Sequence, residues 1–353
     1  MPGSRRPVRD LVVAGGGPVG LAVALHAARA GLDVVVREPR DGPIDKACGE
    51  GLMPGALGEL AALGVDPEGH DLAGIRYLDG LRPHRSVEAR FRAGPGRGVR
   101  RTTLHAALSE AVSAAGVPVE QRAVRAVRDV RDHVLVDDEP ARHLVGADGL
   151  HSSVRTLAGL DRGPAPRRRF GLRCHVTQAP WSPFVEVHWA PHAEAYVTPV
   201  ADDLVGVAVL TDQGGGFDDA LDQLPALRDQ LTGERTKVLG AGPLRQRVTR
   251  RVAGRVLLVG DAGGYVDALT GEGLAVGLAQ ARAVVECLAA GDATGYEARA
   301  RSLARRHELL THALLRATSH RIVRTRLVEV AARAPWLFSA AVNQLARPAG
   351  AVR

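Results

Sequence analysis

A glycine-rich turn near the start of the chain has the spacing of a phosphate-binding loop. Residues 15–20 have the sequence Gly-Gly-Gly-Pro-Val-Gly and lie between the apolar run 11–14 and the alanine-rich run 21–30. This order predicts a strand, a tight turn and a helix whose N-terminus can receive a pyrophosphate. Glu38 follows a second apolar run, 18 residues after Gly20, where a carboxylate accepts a hydrogen bond from a ribose hydroxyl. The pattern therefore predicts a dinucleotide-binding unit.

Three later residues could extend the same binding site. Asp148 follows the run 144–147, and Asp261 follows the run 256–260. Arg101 begins a stretch, 101–115, in which apolar residues recur at helical spacing. Each residue also has an ordinary structural alternative, since Arg101 could be an exposed helix arginine and each aspartate could cap a helix.

The order of these motifs resembles that of the FAD-dependent monooxygenase and geranylgeranyl-reductase superfamily, whose members share the para-hydroxybenzoate hydroxylase fold. The resemblance spans about residues 8–290. It implies that Arg101, in an Arg-x-x-Leu motif, approaches the pyrophosphate of FAD. It also implies that Asp261, in a Gly-Asp motif, accepts a hydrogen bond from a ribityl hydroxyl, and that Asp148 belongs to the family's Asp-Gly motif.

Two segments are similar to the geranylgeranyl reductases in particular. Residues 45–52 look like the Cys-Gly segment that those enzymes place beside the isoalloxazine ring, and Cys48 is expected to pack on the ring. Lys46 is interpreted either as a phosphate or flavin contact or as an exposed loop charge. Residues 267–274 are similar to Asp-Pro-Leu-Thr-Gly-Glu-Gly-Ile, with Ala268 in place of the proline. The glycines of this segment would let backbone N–H groups approach the flavin edge where negative charge develops on reduction.

The resemblance implies a noncovalent FAD site and no metal. NAD(P)H is expected to reduce the flavin, although no second glycine turn for a nicotinamide cofactor is visible. The residues assigned to FAD are Gly15, Gly17, Pro18, Val19, Gly20, Arg37, Glu38, Lys46, Ala47, Cys48, Gly49, Arg101, Val124, Asp148, Gly149, Gly260, Asp261, Gly271, Glu272, Gly273 and Leu274.

The predicted fold is α/β, with a Rossmann-type FAD-binding domain, an interleaved antiparallel β-sheet that forms the substrate domain, and C-terminal helices. Residues 123–127 are predicted to form a strand, and residues 296–342 are predicted to be helical. The strands of the substrate sheet are predicted at 75–78, 87–91, 170–176, 185–189, 195–198 and 204–210. The predicted divisions are 1–74, 96–163 and 251–291 for the FAD-binding domain, 75–95 and 164–250 for the substrate domain, and 292–353 for the helical segment.

The composition limits the classes of partner. The net charge is +7, but the only lysines are Lys46 and Lys237, and aromatic residues make up 3% of the chain. Because single-strand binders need aromatic stacking platforms, nucleic-acid binding is not expected. Three cysteines without metal-ligand spacing predict reduced thiols. No apolar run reaches the roughly 20 residues that a membrane-spanning helix needs, so a cytoplasmic protein is expected.

The C-terminal region leaves a choice between two structural roles. It combines nine arginines within 299–333 with the apolar residues 336–338. Such helices more often cover a core, and the alternative is peripheral contact with a membrane surface. The oligomeric state cannot be read from the sequence.

The expected function is that of an FAD-dependent monooxygenase. It would hydroxylate or epoxidise a small aromatic or polyketide-like metabolite through a flavin C4a-hydroperoxide. The alternative is a flavin-dependent reductase of carbon–carbon double bonds in prenyl or polyene chains. Residues 195–199 retain only the tyrosine and proline of the aromatic-rich stretch of archaeal reductases, which favours the first, whereas residues 45–52 and 271–273 favour the second.

Halogenation is not expected, since the Trp-x-Trp-x-Ile-Pro motif of flavin halogenases is missing from the sequence. Four residues are candidate general acids or bases: His175, His188, Tyr196 and Glu272. A purely structural role is the alternative for each of them.

Overall fold

The computed structural model describes residues 8–165, 168–212 and 215–347. The strands in these residues are β1 (Arg9–Ala14), β2 (Val34–Arg37), β3 (Gly51–Leu52), β4 (His70–Leu72), β5 (Gly74–Asp79), β6 (Arg82–Arg90), β7 (Gly96–Gly98), β8 (Val119–Glu120), β9 (Val127–Asp129), β10 (Val134–Val136), β11 (Glu139–Gly146), β12 (Phe170–Thr177), β13 (Phe184–Trp189), β14 (Ala193–Ala201), β15 (Leu204–Thr211), β16 (Leu239–Ala241), β17 (Val252–Ala253) and β18 (Val256–Leu258). The helices are α1 (Pro18–Arg29), α2 (Pro54–Ala62), α3 (Arg101–Ala114), α4 (Ser153–Leu157), α5 (Phe217–Leu221), α6 (Pro225–Gln230), α7 (Gly273–Ala289), α8 (Tyr296–Thr318), α9 (Arg321–Arg333) and α10 (Pro335–Leu345), and Gly260–Gly263 form a 3₁₀ turn.

The first sheet has the Rossmann arrangement that the glycine turn predicts. Its main path is β17-β18-β11-β1-β2-β8, and β10 and β9 extend from β11. The four pairs from β18 to β8 are parallel. Leu11 and Val13 of β1 pack in one apolar cluster with α1 and α7, while Val12 packs in another on the opposite face. Burial on both faces explains why β1 is apolar at consecutive positions instead of alternating.

The second sheet contains seven strands in the order β16-β12-β15-β14-β13-β5-β6. It is antiparallel, as predicted, except that β13 and β5 run parallel. The chain enters this sheet twice, first at 74–90 and again from 170 onward. Because parallel neighbours need a crossover connection and cannot share a hairpin, the intervening nucleotide-binding segment supplies that connection. A third sheet has the strand order β3-β7-β4, and its strands come from residues 51–98.

The strand predicted at residues 123–127 is wrong for most of its length, since β9 begins only at Val127. The backbone N–H groups of Arg125 and Ala126 donate instead to Oδ1 of Asp137, at 2.9 and 2.8 Å. A side chain thus replaces the strand partner, a substitution that hydrophobic alternation does not reveal.

The C-terminal region forms helices, as predicted, and the structure divides it into three. The first break lies at Ser319 and His320, and the second at Ala334, directly before Pro335. Proline suits the first position of a new helix but disfavours helical backbone in the residue before it. None of the helices within the described residues is long and apolar enough to cross a membrane.

The last two helices pack against the strands that the chain forms first in the seven-stranded sheet. α9 contacts β5 and β6, and α10 contacts β6. Nδ2 of Asn343 donates to the backbone oxygen of Arg90, and its Oδ1 accepts from the backbone N–H of Arg92, at 2.9 and 2.8 Å. These bonds attach α10 to the end of β6.

Candidate active site

A cavity of about 600 Å³ is lined by residues of both large sheets. Every residue that the sequence analysis assigns to FAD lines it, except Gly20 and Glu272. The glycine turn after β1, the loop at 46–49, the start of α3 and the segments at 148–149, 260–261 and 271–274 therefore surround one space. Their convergence follows from the topology, because the carboxyl ends of parallel strands meet at one edge of a sheet.

The glycines of the first turn allow close backbone packing. Gly15 has φ +105°, and a Cβ there would lie 2.5 Å from the backbone oxygen of Ala147. A Cβ on Gly20 would lie 1.9 Å from the backbone oxygen of Gly15. Gly20 therefore seats α1 against the turn, while α1 itself begins at Pro18 beside the cavity. The first N–H groups of a helix lack intrahelical partners and can bind an anion.

Glu38 occupies the position expected of a ribose-binding carboxylate, but its oxygens already accept hydrogen bonds from protein groups. Oε2 accepts from the N–H of Gly16 at 2.8 Å and from Arg40 at 3.1 Å. Oε1 accepts from the backbone N–H and Nε of Arg40, at 3.0 and 2.8 Å. Burial opposes ionisation, yet the bonds from Arg40 and Gly16 prevail and lower the pKa of Glu38. A ribose hydroxyl would share this carboxylate with Arg40.

Two cationic side chains, Arg101 and Lys46, line the cavity. Arg101 begins α3, and its buried Nε has no hydrogen-bond partner among the residues that the structure describes. A Cβ on Gly17 would lie 3.8 Å from Nη2 of Arg101, so this guanidinium lies beside the start of α1. Nζ of Lys46 lies 3.9 Å from Oδ2 of Asp261. An unpartnered buried donor next to a helix N-terminus fits the diphosphate of a dinucleotide.

The two aspartates of the predicted site have different surroundings. Asp148 accepts hydrogen bonds from Oγ of Ser152, at 2.5 Å, and from the N–H of Val154, at 3.0 Å. Its carboxylate therefore helps to hold the start of α4, although the N-cap residue itself is Ser152. Asp261 lies in the 3₁₀ turn, lines the cavity and is about one-third exposed. Because its contact with Lys46 is long, at 3.9 Å, and the residue lines the cavity, the carboxylate is available to a ligand.

The side chain of Arg37 points into a cluster of acids, although the residue contributes to the cavity wall. It forms ion pairs with Glu120, Asp137 and Glu139, and it is 1% exposed. Its guanidinium thus joins β2 to β8 and to the β10–β11 hairpin. Arg37 therefore contributes to the cavity wall where β2 ends, while its guanidinium lies in the acidic cluster.

The loop that carries Cys48 is held by a buried polar network. Glu50 has φ +56°; its Oε1 accepts from the N–H of Arg101 at 2.9 Å, and its Oε2 lies 2.7 Å from Nε2 of His175. Nδ1 of His175 lies 3.2 Å from Nη1 of Arg173, which can only donate. His175 therefore accepts at Nδ1 and donates from Nε2 to Glu50. Burial raises the pKa of the Cys48 thiol, so this cavity-lining group stays protonated.

Of the four candidate acids and bases, only Tyr196 lines the cavity. Its hydroxyl donates to the backbone oxygen of Leu269 at 3.0 Å, and burial raises its pKa well above the usual value. His175 belongs to the network under the Cys48 loop, and His188 lies 3.4 Å from Glu186, behind the wall. Glu272 is buried 3.3 Å from Nδ1 of His307, and burial raises its pKa.

The other end of the cavity is apolar. Ile75 and Tyr77 project from β5, and Val185 and Val187 from β13, on one face of the seven-stranded sheet. The apolar lining also includes Leu52, Leu72, Phe91, Leu210, Leu244, Leu269, Val342 and Leu345. This end can hold an extended hydrocarbon and keep water from a reacting group.

Several residues of the wall were missed by the sequence analysis. Glu50 lies inside the segment 45–52, so its position after Gly49 was an available signal. Tyr77 shares the alternation of a predicted strand with Ile75. Val342 and Leu345 gave no signal, because only the packing of α10 on β6 brings them to the cavity.

Comparison with known proteins agrees with this architecture. A family model described as FAD binding domain matches residues 9–213. Menaquinone reductase from Mycobacterium tuberculosis is 30% identical over 326 residues, which cover 80% of this chain and 77% of that protein. Digeranylgeranylglycerophospholipid reductase 1 from Methanothermobacter thermautotrophicus is 26% identical over 300 residues, covering 76% and 74%.

A solved structure extends the similarity to the whole fold. A geranylgeranyl bacteriochlorophyll reductase-like protein from Thermoplasma acidophilum has a TM-score of 0.78 at 18% identity, over 96% of this chain and 95% of that one. The family model, the menaquinone reductase similarity and the shared architecture together confirm the predicted superfamily. The chain belongs to the FAD-binding-domain family, within the superfamily of FAD-dependent monooxygenases and geranylgeranyl reductases, and it is an FAD-dependent oxidoreductase.

Proposed function

We propose that the protein reduces carbon–carbon double bonds in the polyprenyl chain of a lipid. The observation that carries this proposal is one cavity with two unlike ends. The residues assigned to FAD surround one end, and aliphatic and aromatic side chains surround the other. The names of two relatives describe reductases of menaquinone and of a digeranylgeranyl lipid, and both molecules contain polyprenyl chains.

Within this proposal the cofactor is held from end to end by the residues already described. The start of α1 and Arg101 would hold its diphosphate, and Asp261 would accept a hydrogen bond from the ribityl chain. The Cys48 loop and the backbone of Gly271 and Gly273 would hold the isoalloxazine ring. Gly271 has φ +67°, a conformation that glycine adopts without strain.

The reduction must deliver a hydride to one carbon of the double bond and a proton to the other. FAD, reduced by NAD(P)H in this proposal, supplies the hydride. The proton must come from a group that stays protonated in the cavity. Cys48, Tyr196 and Tyr265 all line it, and burial raises the pKa of each. The apolar walls orient the chain and exclude water.

Oxygenation of a small metabolite is the second candidate. The wall segment at Tyr196 keeps only the tyrosine and proline of the reductases' aromatic-rich stretch, which favours this alternative. An apolar cavity also suits oxygen chemistry, since water would discharge an activated oxygen species. The Cys48 loop and the segment 271–273 lie in the cavity wall and favour reduction instead.

The two candidates differ in their need for oxygen. Chemically reduced enzyme is mixed with menaquinone or a geranylgeranyl ether lipid without oxygen, and the products are analysed by mass spectrometry. Reduction of the chain predicts a product that retains two additional hydrogens after any quinol formed has been reoxidised in air. If products form only in air and contain an oxygen atom from O₂, the second candidate is correct and the first is wrong.

A further inference from the structure

We propose that α9 and α10 dock the protein on the surface of an anionic lipid bilayer. On α9, Ile322, Val323 and Val330 are 72%, 42% and 58% exposed. At 100° per residue their side chains fall on one face of the helix, together with the exposed Arg326 and with Arg333, whose guanidinium pairs with Glu329 at 2.7 Å. This exposed face therefore mixes aliphatic side chains with cations, as in helices that lie at membrane surfaces.

α10 leaves a second apolar face uncovered. Trp336 and Leu337 are 72% and 56% exposed, and Ala340 and Ala341 are exposed on the same side. The helix Pro335–Leu345 contains no charged residue. Tryptophan is enriched at the boundary between hydrocarbon and headgroups, where its ring contacts both.

The charge of the C-terminal helices favours an anionic partner for these exposed faces. From Tyr296 to Arg347 the sequence has ten arginines, no lysine and three glutamates. The net charge of this segment is therefore +7, which equals the net charge of the whole chain. The rest of the chain is therefore close to neutral. Arg316 and Arg326 are exposed on these helices. Arg324 and Arg333 pair with Glu194 and Glu329, so Arg316 and Arg326 are among the cations that an anionic headgroup can reach.

A second copy of the chain fits these faces less well. An isologous contact would place the same patch of both copies face to face. Such a contact would bring Arg326 of both copies into one interface, and like charges would repel. An anionic bilayer attracts the same arginines, so we assign the surface to lipid.

The position of α10 links this surface to the cavity. Val342 and Leu345 line the cavity from the buried side of α10, while Trp336 and Leu337 lie on its exposed side. One helix thus separates the apolar end of the cavity from the proposed membrane. This link to substrate entry rests on the proposed function, whereas membrane binding does not.

The test is flotation of the FAD-loaded protein with vesicles. Phosphatidylcholine vesicles are compared with vesicles that also contain phosphatidylglycerol, at low and high salt. We expect binding to be about tenfold stronger with phosphatidylglycerol at low salt and to weaken at high salt. The double variant Trp336→Ser, Leu337→Ser should lose at least about tenfold in binding, because it removes most of the apolar contact.

Matched variants separate the surface from general effects. Leu81→Ser changes a leucine that is 57% exposed on another part of the protein, and it should bind like the wild type. Arg326→Glu should weaken binding, whereas Arg131→Glu, at an exposed turn of the nucleotide-binding part, should not. FAD content confirms that each variant is folded.

Three outcomes would overturn the proposal. They are no flotation with either lipid, equal binding by the double variant, and a wild-type dimer that the double variant converts to monomers without any vesicle binding. The last outcome would assign the surface to a second copy. Because flotation needs no substrate and the reduction assay uses detergent-solubilised lipid, failure of one does not affect the other.

Discussion

The ring of Phe338 on α10 lies 4.7 Å, centroid to centroid, from the ring of Tyr77 on β5, and the two planes are inclined by 56°. Tyr77 also contacts Trp189 at 5.5 Å and lines the cavity. This contact attaches the last helix to the wall of the apolar end. The sequence places the two aromatic residues 261 positions apart, so only the folded chain relates them.

Removing this ring should affect substrate binding and leave the cofactor in place. Phe338→Ala should raise KM for a polyprenyl substrate about tenfold, because the ring pair and its buried area are lost and α10 is less firmly held. FAD affinity should stay within a factor of about two. Steady-state kinetics and flavin fluorescence titration measure the two quantities. Phe170→Ala, at a partly exposed position on β12, is the control, and an equal rise in its KM would contradict the assigned role.

The two aspartates should differ in their effect on FAD. Asp261→Ala should weaken FAD binding about ten- to hundredfold, because a charge-assisted hydrogen bond is worth roughly 1.5–3 kcal/mol. Asp148→Ala should mainly lower the free energy of unfolding, because its carboxylate holds Ser152 and Val154 at the start of α4. Fluorescence titration and urea unfolding are run on both variants. Unchanged FAD affinity in Asp261→Ala would remove that residue from the cofactor site.

Loss of Glu50 should destabilise the Cys48 loop. Glu50→Ala leaves the N–H of Arg101 and Nε2 of His175 without their acceptor in a buried site. We expect the free energy of unfolding to fall by about 3 kcal/mol. The exposed residue Glu68 provides the control, since Glu68→Ala should change stability by less than about 0.5 kcal/mol. If the two variants have similar free energies of unfolding in urea, the network does not stabilise the Cys48 loop.

Asp267 should give the folded protein a specific pH dependence. Burial raises the pKa of its carboxyl to about 6, despite the ion pair with Arg169 at 2.9 Å. The native state then holds a proton that the unfolded chain releases near pH 4, so stability falls as the pH rises from about 4 to 6. The loss should total roughly 3 kcal/mol, since one pKa unit corresponds to about 1.4 kcal/mol.

The variant Asp267→Asn should lose the fall in stability between about pH 4 and 6, whatever its absolute free energy of unfolding. Urea unfolding of the FAD-loaded protein at several pH values between 4 and 7 measures it. Asp202→Asn, at a fully exposed carboxylate, should keep the wild-type slope. A wild-type slope in Asp267→Asn would mean that this carboxyl is ionised throughout the range.

Local patterns were enough to predict the nucleotide-binding part. The glycines before α1 and the strand–turn–helix order follow from spacing within a short segment, because phosphate binding requires glycine at those positions. The role of Asp261 is implied by the family resemblance alone and stays a prediction. The role of Asp148 was left open, since a capping aspartate and a ligand-binding aspartate can have the same local sequence.

What the sequence could not predict depends on distant contacts. Glu50 and His175 are 125 positions apart in the sequence, yet their side chains form a hydrogen bond. His175, a candidate base in the sequence, therefore belongs to the buried network under the Cys48 loop. The parallel pair β5 and β13 arises because the chain enters the sheet twice. The contribution of Val342 to the cavity depends on how α10 packs against β6. Hydrophobic periodicity identifies such elements but does not determine their partners.

We propose that this protein uses reduced FAD to reduce a carbon–carbon double bond of a polyprenyl chain. The most direct test is a single turnover without oxygen, in which flavin absorbance is followed after reduced enzyme meets a detergent-solubilised menaquinone. A quinone ring can also oxidise a flavin, so the product is oxidised in air before mass spectrometry. Ring hydrogens are then lost, whereas hydrogens added to the chain remain. We predict flavin reoxidation matched by a product that retains two additional hydrogens in its polyprenyl chain. Flavin reoxidation with a product that returns to the mass of the starting quinone would contradict the claim.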